Sequence, residues 1–382
     1  MKLIRTSTVP VSLNILLKGQ LNFLNNYFEV IAVSADGSDL QEVAQREDVR
    51  ILPLEMERKI APWKDLVSLV KMCLLLRKEK PQIVHSITPK AGLITMLAAK
   101  LAGVPIRMHT FTGLIFPSKT GIMQQLLIKM DKLLCWAATD IYPEGNGVKR
   151  DLEKYRITSK PLKIIANGNV NGIDLNHFNP NEISENQKKQ LKQELKINDE
   201  DFVFIFVGRL VGDKGINELI EAFSNLKSQN LKLLLVGPFE QELDPLLPET
   251  VAEIEQNKNI ITVGFQKDVR PYFVISDALV FPSYREGFPN VVMQAGAMEL
   301  PSIVSDINGC NEIIVNEKNG VIIPVKNTIT LQEEMQRLMS DKIRYEFLKK
   351  NSRPMILSRY SQELVWNELL KEYQHLLKEK NV

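Results

Sequence analysis

The chain has 382 residues, 48 Lys or Arg against 46 Asp or Glu, a formal net charge of +2 and three cysteines. Cys73, Cys135 and Cys310 lie far apart with no paired spacing, which excludes a disulfide framework or a cysteine metal site and fits a reducing cytosol. No apolar run approaches the roughly 18 residues of a membrane span, and the length predicts two domains, each with a full core.

Strand-like and helical patterns alternate along the first half, as in a doubly wound α/β domain. The predicted strands are Lys2–Arg5, Glu29–Ser34, Arg50–Leu54, Ile83–Ser86, Ile106–Thr110, Asp140–Tyr142 and Leu162–Ala166. Helices such as Lys64–Lys78 and Gly92–Leu101 are predicted between them. Residues 118–134 mix lysines with apolar residues at helical spacing. This pattern fits a basic amphipathic helix on lipid and a helix packed on the sheet equally well.

The second half repeats the alternation after a stretch from Asn167 to Lys196, which predicts the interdomain linker and the first helix of a second domain. The predicted strands are Phe202–Val207, Leu231–Val236, Ile260–Val263, Ala278–Phe281, Ser302–Ser305 and Gly320–Ile323. A final helix from Ser361 to about Lys380 carries an apolar stripe that needs a surface to cover. Asp199 and Asp201 match a metal-holding Asp-x-Asp pattern, but their hydrophilic setting predicts a solvated turn.

Two cations follow the first strand of the second half. The apolar run 202–207 reads as a buried parallel strand, and Gly208, Arg209 and Lys214 come directly after it. Arg209 offers a planar guanidinium whose paired N–H groups can bind a phosphate, and Lys214 offers a point charge. Gly208 lets the backbone come close to a ligand. Because no metal-ligand cluster is evident, we expect these two cations to face a leaving diphosphate.

The run from Ser283 to Gln294 is the most informative stretch of the chain. It follows an apolar strand, contains a Gly-bearing loop and leads into a helix whose N-terminal N–H groups can bind phosphate. Glu286 and Gln294, eight positions apart, can form hydrogen bonds with hydroxyls on either side of that phosphate. A sugar nucleotide has this order of hydroxyls, diphosphate and hydroxyls, so it is the leading ligand.

These motifs resemble the family-four retaining glycosyltransferases of GT-B fold, whose Glu-x7-Glu signature matches Glu286 with Gln294 in place of the second Glu. The resemblance covers nearly the whole chain and is strongest to bacterial hexosaminyltransferases that build capsule, lipopolysaccharide or lipid-linked oligosaccharide. It implies two Rossmann-like doubly wound domains facing a central cleft, with the C-terminal helix crossing back to the N-terminal domain. The implied bounds are 1–175 for the acceptor domain, 176–358 for the nucleotide-sugar domain and 359–382 for the helix.

The resemblance also assigns roles to residues. It implies catalytic roles for Arg209, Lys214, His109 and Glu286, with His109 reaching the donor sugar. The nucleotide would contact Gly208, Phe265, Phe288, Pro289, Asn290 and Gln294. On the acceptor side we expect His85, Lys90 and Thr112, since His85 ends a strand, where open α/β sheets place ligand groups.

The predicted activity is transfer of a sugar, an N-acetylhexosamine or related hexose, from a UDP-sugar to a hydroxyl of a glycan or lipid-linked acceptor. The resemblance implies retention of configuration without a metal or other cofactor. A UDP-sugar 2-epimerase of the same fold and a non-catalytic nucleotide-binding partner of another transferase remain as alternatives.

Charge asymmetry suggests where the protein works. Through Phe178 there are 24 Lys or Arg against 16 Asp or Glu, whereas the remainder has 24 against 30. A basic first half suits a lipid diphosphate or the membrane surface that carries it. Nucleic acid is not an expected partner, because aromatic residues are not interleaved with the basic ones. We therefore expect a cytoplasmic protein that can associate with the inner face of the plasma membrane.

Overall fold

A computed structural model describes all residues except 58, 59, 227, 229 and 241–243. The chain divides into two compact units. Unit 1 contains Met1–Gly172 and Gln362–Val382, and unit 2 contains Ile173–Ser361. The divisions lie within a few residues of the predicted bounds, and the last segment belongs to unit 1.

Unit 1 is built on a parallel six-stranded sheet. Its strands are β1 (Lys2–Thr6), β2 (Glu29–Ser34), β3 (Arg50–Pro53), β4 (Ile83–Ser86), β5 (Ile106–Phe111) and β6 (Asp140–Pro143). Its helices are α1 (Pro10–Leu16), α2 (Gln20–Asn25), α3 (Ser38–Glu47), α4 (Pro62–Glu79), α5 (Pro89–Leu101), α6 (Gly121–Ala137) and α7 (Asn146–Lys154). The strand order is β3-β2-β1-β4-β5-β6.

Both faces of this sheet are buried, which explains why its strands read as continuous apolar runs. Ile4 and Val84 point to one side, into a core shared with α4, α5 and α6, while Leu3 and Ile83 point to the other, beneath α1 and α2.

The predicted strand over 162–166 is wrong. Leu162 makes only an isolated bridge to Ile141, and Ala166 has a φ of +50°. A left-handed residue breaks the pleat of an extended strand, so the apolar run here cannot continue the sheet.

Unit 2 repeats the plan. Its strands are β7 (Phe202–Val207), β8 (Leu231–Val236), β9 (Ile260–Gly264), β10 (Ala278–Phe281), β11 (Ser302–Ser305) and β12 (Gly320–Ile323), in the order β12-β11-β10-β7-β8-β9. Its helices are α8 (Glu185–Glu194), α9 (Ile216–Ser224), α10 (Pro248–Gln256), α11 (Arg270–Val274), α12 (Asn290–Ala297), α13 (Cys310–Ile313), α14 (Thr328–Ser340) and α15 (Lys342–Tyr360). All of its strand pairs are parallel. The predicted class of two doubly wound α/β units is confirmed.

The last helix, α16 (Gln362–Glu379), closes unit 1. Its apolar stripe packs beside α2 on the face of the sheet that carries Leu3. Tyr373 from this helix is fully buried. The predicted return of the chain to the N-terminal unit is therefore present, and it covers surface that unit 1 would otherwise expose.

Strand order also marks where a ligand would bind in each sheet. In unit 2 the chain runs from β7 out to β8 and β9, and then crosses to place β10 on the other side of β7. Open α/β sheets bind ligands at the carboxyl ends of the strands where the order reverses in this way. The reversal in unit 2 lies between β7 and β10.

No helix within the described part of the chain combines the length and the apolar character needed to cross a bilayer.

Candidate functional site

Two predicted residues meet at the reversal point of unit 2. Lys214 follows β7 and Glu286 follows β10, and the Lys214 Nζ atom forms an ion pair with the Glu286 carboxylate. The two side chains are only 16% and 17% exposed. Ser283 Oγ donates a second hydrogen bond, of 3.0 Å, to Glu286 Oε1. The carboxylate is therefore held by a cation from one loop and a hydroxyl from its own.

Glycine allows these loops to approach one another. Gly215 has a φ of +72°, and a Cβ there would lie 2.2 Å from the Pro282 carbonyl oxygen. Gly309 has a φ of +75°, and its Cβ would lie 2.5 Å from the Gly287 carbonyl oxygen. Only glycine accepts this conformation and this closeness without strain. The loops after β7 and β11 thus both press against the segment that carries Glu286.

Arg209, the second predicted cation, lies on the same loop as Lys214 but has a different partner. Its Nη1 atom donates a 2.7 Å hydrogen bond to Glu240 Oε2. The Arg209 side chain is 45% exposed, so this pair is open to water. Exposed pairs hold together weakly, by about 0.2–1 kcal/mol, which leaves the guanidinium able to change partner when an anion binds.

Several contacts that the sequence did not reveal fix the loop after β10. Arg285 Nη2 lies 3.0 Å from Asp213 Oδ2, and the Tyr284 N–H donates a 2.9 Å bond to the Asp213 carbonyl. The Tyr284 hydroxyl donates a 2.5 Å bond to Glu218 on α9. Burial and this carboxylate together raise the pKa of Tyr284. The loops after β7 and β10 therefore form one hydrogen-bonded body around the ion pair.

The predicted nucleotide contacts on α12 divide into two groups. Asn290 begins the helix and Gln294 lies one turn later, both half-buried. Phe288 and Pro289 are buried, and the Phe288 ring packs 5.5 Å from that of Tyr360. These two side chains belong to the core, so their backbone is the part that can approach a ligand.

The other two predicted contacts flank the site on neighbouring strands. Phe265, just past β9, is 75% exposed and leaves an aromatic face free for a planar ring. Gly208 directly follows β7, and its N–H donates a 2.9 Å bond to the Val236 carbonyl. Both lie beyond the carboxyl ends of strands in the β10-β7-β8-β9 part of the sheet.

In unit 1, His109 is buried with one nitrogen bound and one without a partner. Its Nδ1 atom lies 2.8 Å from Ser86 Oγ, whereas Nε2 has no hydrogen-bond partner. Burial lowers the pKa of His109 to about 3, so the ring is neutral at pH 7. A buried nitrogen without a partner is costly, and it is the free polar group a ligand could use.

His85, expected on the acceptor side, is tied into a buried network. Its Nδ1 lies 2.7 Å from the Tyr373 hydroxyl and its Nε2 2.7 Å from Thr110 Oγ1. Arg5 Nη1 donates a 2.7 Å bond to the same Tyr373 oxygen. Burial, followed by the nearby Arg5 charge, lowers the pKa of His85 well below its ordinary value. Nδ1 thus holds α16 to the sheet, and Nε2 joins β4 to Thr110 of β5. Contact with an acceptor would break one of these bonds.

The remaining acceptor-side predictions lie nearby in unit 1. Lys90 Nζ contacts both carboxylate oxygens of Asp65, at 2.7 and 2.8 Å, and is only 10% exposed. Thr112 Oγ1 donates a 2.9 Å bond to the Ile87 carbonyl. Each of these side chains therefore already has an internal partner, and their roles toward an acceptor stay predictions.

Among the described residues, no group of three or more His, Cys, Asp or Glu side chains is arranged to hold a metal ion. In the Asp199–Asp201 turn, Asp199 contacts Lys192 and Asp201 accepts a 2.8 Å bond from the Asn198 N–H. Asp199 is exposed, as predicted for a solvated turn, whereas Asp201 is buried against the backbone of the turn.

Comparison with known protein families matches both halves of the chain. Residues 187–355 match the family model "Glycosyl transferases group 1", and residues 10–144 match "Glycosyl transferase 4-like". The capsular polysaccharide biosynthesis glycosyltransferase CapM of Staphylococcus aureus is 34% identical over 97% of each chain. The UDP-Gal:alpha-D-GlcNAc-diphosphoundecaprenol alpha-1,3-galactosyltransferase of Escherichia coli is 30% identical over 80% of this chain and 78% of its own.

Solved structures agree with the fold. A glycosyltransferase from Rickettsia africae superposes with a TM-score of 0.82 at 19% identity, over 99% of this chain and 98% of that one. Anabaena Alr3699/HepE, solved with UDP and glucose, has a TM-score of 0.83 at 16% identity, over 98% and 100%. Since a full-length relative exceeds 30% identity and the architecture agrees throughout, this chain belongs to the family-four glycosyltransferases of GT-B fold.

Proposed function

We propose that the protein transfers a hexose or N-acetylhexosamine from a UDP-sugar to a hydroxyl of a lipid-diphosphate-linked glycan, with retention of configuration, during assembly of a bacterial surface polysaccharide. The names of two relatives support the donor and acceptor classes. One is a capsule glycosyltransferase, and the other takes galactose from UDP-Gal to a diphosphoundecaprenol-linked sugar.

The observation that carries this proposal is the pair of cations after β7. Arg209 and Lys214 follow the strand at the reversal point of unit 2, where a bound diphosphate would lie. As the bond to the sugar breaks, negative charge grows on the departing diphosphate. Arg209 can meet it with two parallel N–H groups and Lys214 with a point charge. Preorganised charges of this kind lower the barrier without a metal ion.

Donor binding would exchange partners at the ion pair. In the free protein Glu286 neutralises Lys214. A diphosphate brings more negative charge to the ammonium than one carboxylate does, so Lys214 moves to the phosphate. Glu286, still held by Ser283, is then free to accept hydrogen bonds from sugar hydroxyls. Orientation of the sugar by Glu286 would therefore depend on diphosphate binding at Lys214.

Retention in a single displacement needs the acceptor hydroxyl to attack from the side that the diphosphate leaves. A phosphate oxygen on that side takes the proton of the acceptor hydroxyl, so the new glycosidic bond forms as the old one breaks. No protein nucleophile is required in this step. Gln294 would hold the ribose through its amide, which can both donate and accept hydrogen bonds.

A transfer assay tests the proposal. The purified protein is incubated in EDTA with a panel of UDP-, GDP- and dTDP-sugars and an undecaprenyl-diphosphate-linked sugar, and the anomeric configuration of the product is read by NMR. We expect transfer from one UDP-hexose or UDP-hexosamine with retained configuration. An inverted product, or transfer only from GDP- or dTDP-sugars, would contradict it. UDP binding without any transfer would favour the non-catalytic alternative.

A further inference from the structure

Polar side chains on four neighbouring strands meet on the face of the unit 1 sheet that α16 covers. Arg5 lies two positions after Leu3 on β1, so both side chains point to this face. His85 is the register partner of Arg5 on β4. Thr110 on β5 and Tyr142 on β6 are also register partners. These four polar residues line one cavity beneath α16.

The cavity is small and lies within one unit. Its volume is about 20 Å³, and every residue that lines it belongs to unit 1. Val365 and Leu369 of α16 contribute apolar surface to it. Because one water molecule needs roughly 10–15 Å³, the space suits about one particle of that size. A phosphate, a sulfate or a sugar is too large.

Arg5 brings to this cavity a positive charge that its hydrogen-bond partner does not balance. Its side chain is fully buried, and its Nη1 atom donates the 2.7 Å bond to the Tyr373 hydroxyl, a neutral group. Among the described residues, its Nε and Nη2 atoms have no hydrogen-bond partner. An arginine in a protein cannot lose its proton, and a buried charge without a counter-charge is strongly destabilising. The cavity therefore needs a negative charge.

Two polar neighbours in the cavity supply no negative charge. Burial, followed by the nearby Arg5 charge, lowers the pKa of His85, so its ring is neutral at pH 7. Burial, together with Glu372, raises the pKa of Tyr142, so its hydroxyl keeps its proton. Glu372 itself accepts the 2.8 Å bond from that hydroxyl and forms an ion pair with Lys163. This carboxylate thus already has a cation of its own.

We propose that the cavity binds one small monatomic anion of about the size of chloride, held by the Arg5 Nε and Nη2 atoms. A water molecule would satisfy these N–H groups but would leave the charge unbalanced, whereas a halide ion does both. The ion would lie between β1 and α16 and help to hold the helix on the sheet. Its binding requires neither donor nor acceptor sugar, so it can be tested separately from sugar transfer.

Glu144 is the other group that could balance Arg5. It lies just after β6, lines the same cavity and is buried, with interactions of its own. Arg5 donates no hydrogen bond to it, so any compensation by Glu144 would act across the cavity. The variant Glu144→Gln removes this charge and distinguishes the two sources.

Urea unfolding of the full chain tests the proposal. Sodium chloride replaces sodium gluconate stepwise at constant ionic strength, which keeps the screening of surface charges unchanged, and gluconate is too large for the cavity. The three tryptophans, Trp63, Trp136 and Trp366, all lie in unit 1, so their fluorescence follows the unit that contains the cavity. Arg5→Met removes the buried charge. Arg50→Met is the matched control, because Arg50 is on β3 of the same sheet and its side chain is 47% exposed.

We expect the ratio of folded to unfolded wild type to rise about tenfold for each tenfold rise in chloride above the dissociation constant, since one ion binds the folded protein only. Arg50→Met should keep this dependence and Arg5→Met should lose it. Wild type that ignores chloride, or an equal dependence in Arg5→Met, would overturn the proposal. A chloride dependence that Glu144→Gln gains and wild type lacks would also overturn it, because Glu144 would then be the counter-charge.

Crystals of wild type grown in sodium bromide give a second measurement that does not depend on whether a variant folds. We expect an anomalous scattering peak in the cavity beside the Arg5 Nε and Nη2 atoms. Electron density of a water molecule there, without an anomalous signal, would contradict the proposed anion site.

Discussion

Replacing Glu286 by Gln separates two roles of this carboxylate: it neutralises Lys214 in the free protein, and we propose that it contacts the donor sugar. In the free protein the Glu286 carboxylate neutralises the Lys214 ammonium, which the proposed mechanism assigns to the diphosphate. Gln has the same shape and its amide oxygen can still accept the hydrogen bond from Ser283 Oγ, so the substitution removes little but the charge. UDP carries the diphosphate without the sugar, so the change in its affinity on this substitution reports on Lys214 and not on contacts with the sugar.

The expected magnitude follows from the setting of the pair. Two unit charges 4 Å apart attract by about 4 kcal/mol at an effective dielectric constant of 20. The cost of desolvating both charges, together with the water that reaches the pair, reduces its net value to about 1 kcal/mol. Releasing Lys214 from Glu286 should thus tighten UDP binding about fivefold. Turnover should fall on the order of 10²-fold, because the sugar loses a fixed charged contact.

Calorimetric titration of UDP in EDTA measures the first effect, and the transfer assay measures the second. The matched control is Glu240→Gln, which removes a carboxylate from Arg209 where that side chain is 45% exposed. Water already screens this second pair, so UDP affinity should change by less than about twofold. If Glu286→Gln left UDP binding unchanged or weakened it, Lys214 would not be the group that meets the diphosphate.

Three further changes test other parts of the site. Arg209→Ala should lower turnover about 10²-fold, and Arg209→Lys should restore little because the planar fork is missing, as steady-state kinetics would show. Tyr373→Phe should lower the free energy of urea unfolding by about 1–3 kcal/mol, since it removes a hydroxyl bound to both Arg5 and His85 inside unit 1. His109, with a folded pKa of about 3 against 6.5 when unfolded, binds its proton only in the unfolded chain between those values. Its contribution to stability is therefore complete above pH 6.5 and is lost as the pH falls toward 3. From pH 7 to 5 wild type should lose about 2 kcal/mol that His109→Gln keeps.

Each of these three predictions has a result that would contradict it. Full activity of Arg209→Ala would remove this residue from charge stabilisation. Unchanged unfolding of Tyr373→Phe would mean that the network beneath α16 adds no stability. Parallel acid sensitivity in wild type and His109→Gln would place the responsible groups elsewhere.

The sequence predicts the two sheets well because their strands are buried on both faces. Runs such as 202–207 and 231–236 are apolar almost throughout and lack the polar–apolar alternation of a strand with one face in water. Each run ends where a loop begins. Because these strand ends are clear in the sequence, Arg209 and Lys214 after β7 and Glu286 after β10 could be predicted as site residues. Their pairing in the free protein could not, because it depends on how closely Gly215 lets the two loops approach.

Long-range contacts account for most of what the sequence could not reveal. His85 lies next to the end of β4, but Tyr373 from α16 bonds to one of its nitrogens, and no local pattern links residues so distant. The exposure of apolar residues on α4, such as Val70 and Leu74, could not be predicted for another reason. Apolar residues surround that helix, so periodicity alone does not tell its buried Met72 face from its exposed Val70 face. Asp213, Tyr284 and Ser283 were missed because each acts through loop geometry rather than spacing.

Sugar transfer by the Arg209→Ala, Lys214→Ala double variant in EDTA is the most direct measurement. Wild type should transfer sugar from its UDP donor at the same rate with and without the chelator. The double variant should lose more than about 10³-fold while its circular dichroism spectrum and melting temperature stay close to those of wild type. Loss of wild-type activity in EDTA, or a double variant as active as wild type, would contradict catalysis by these two cations.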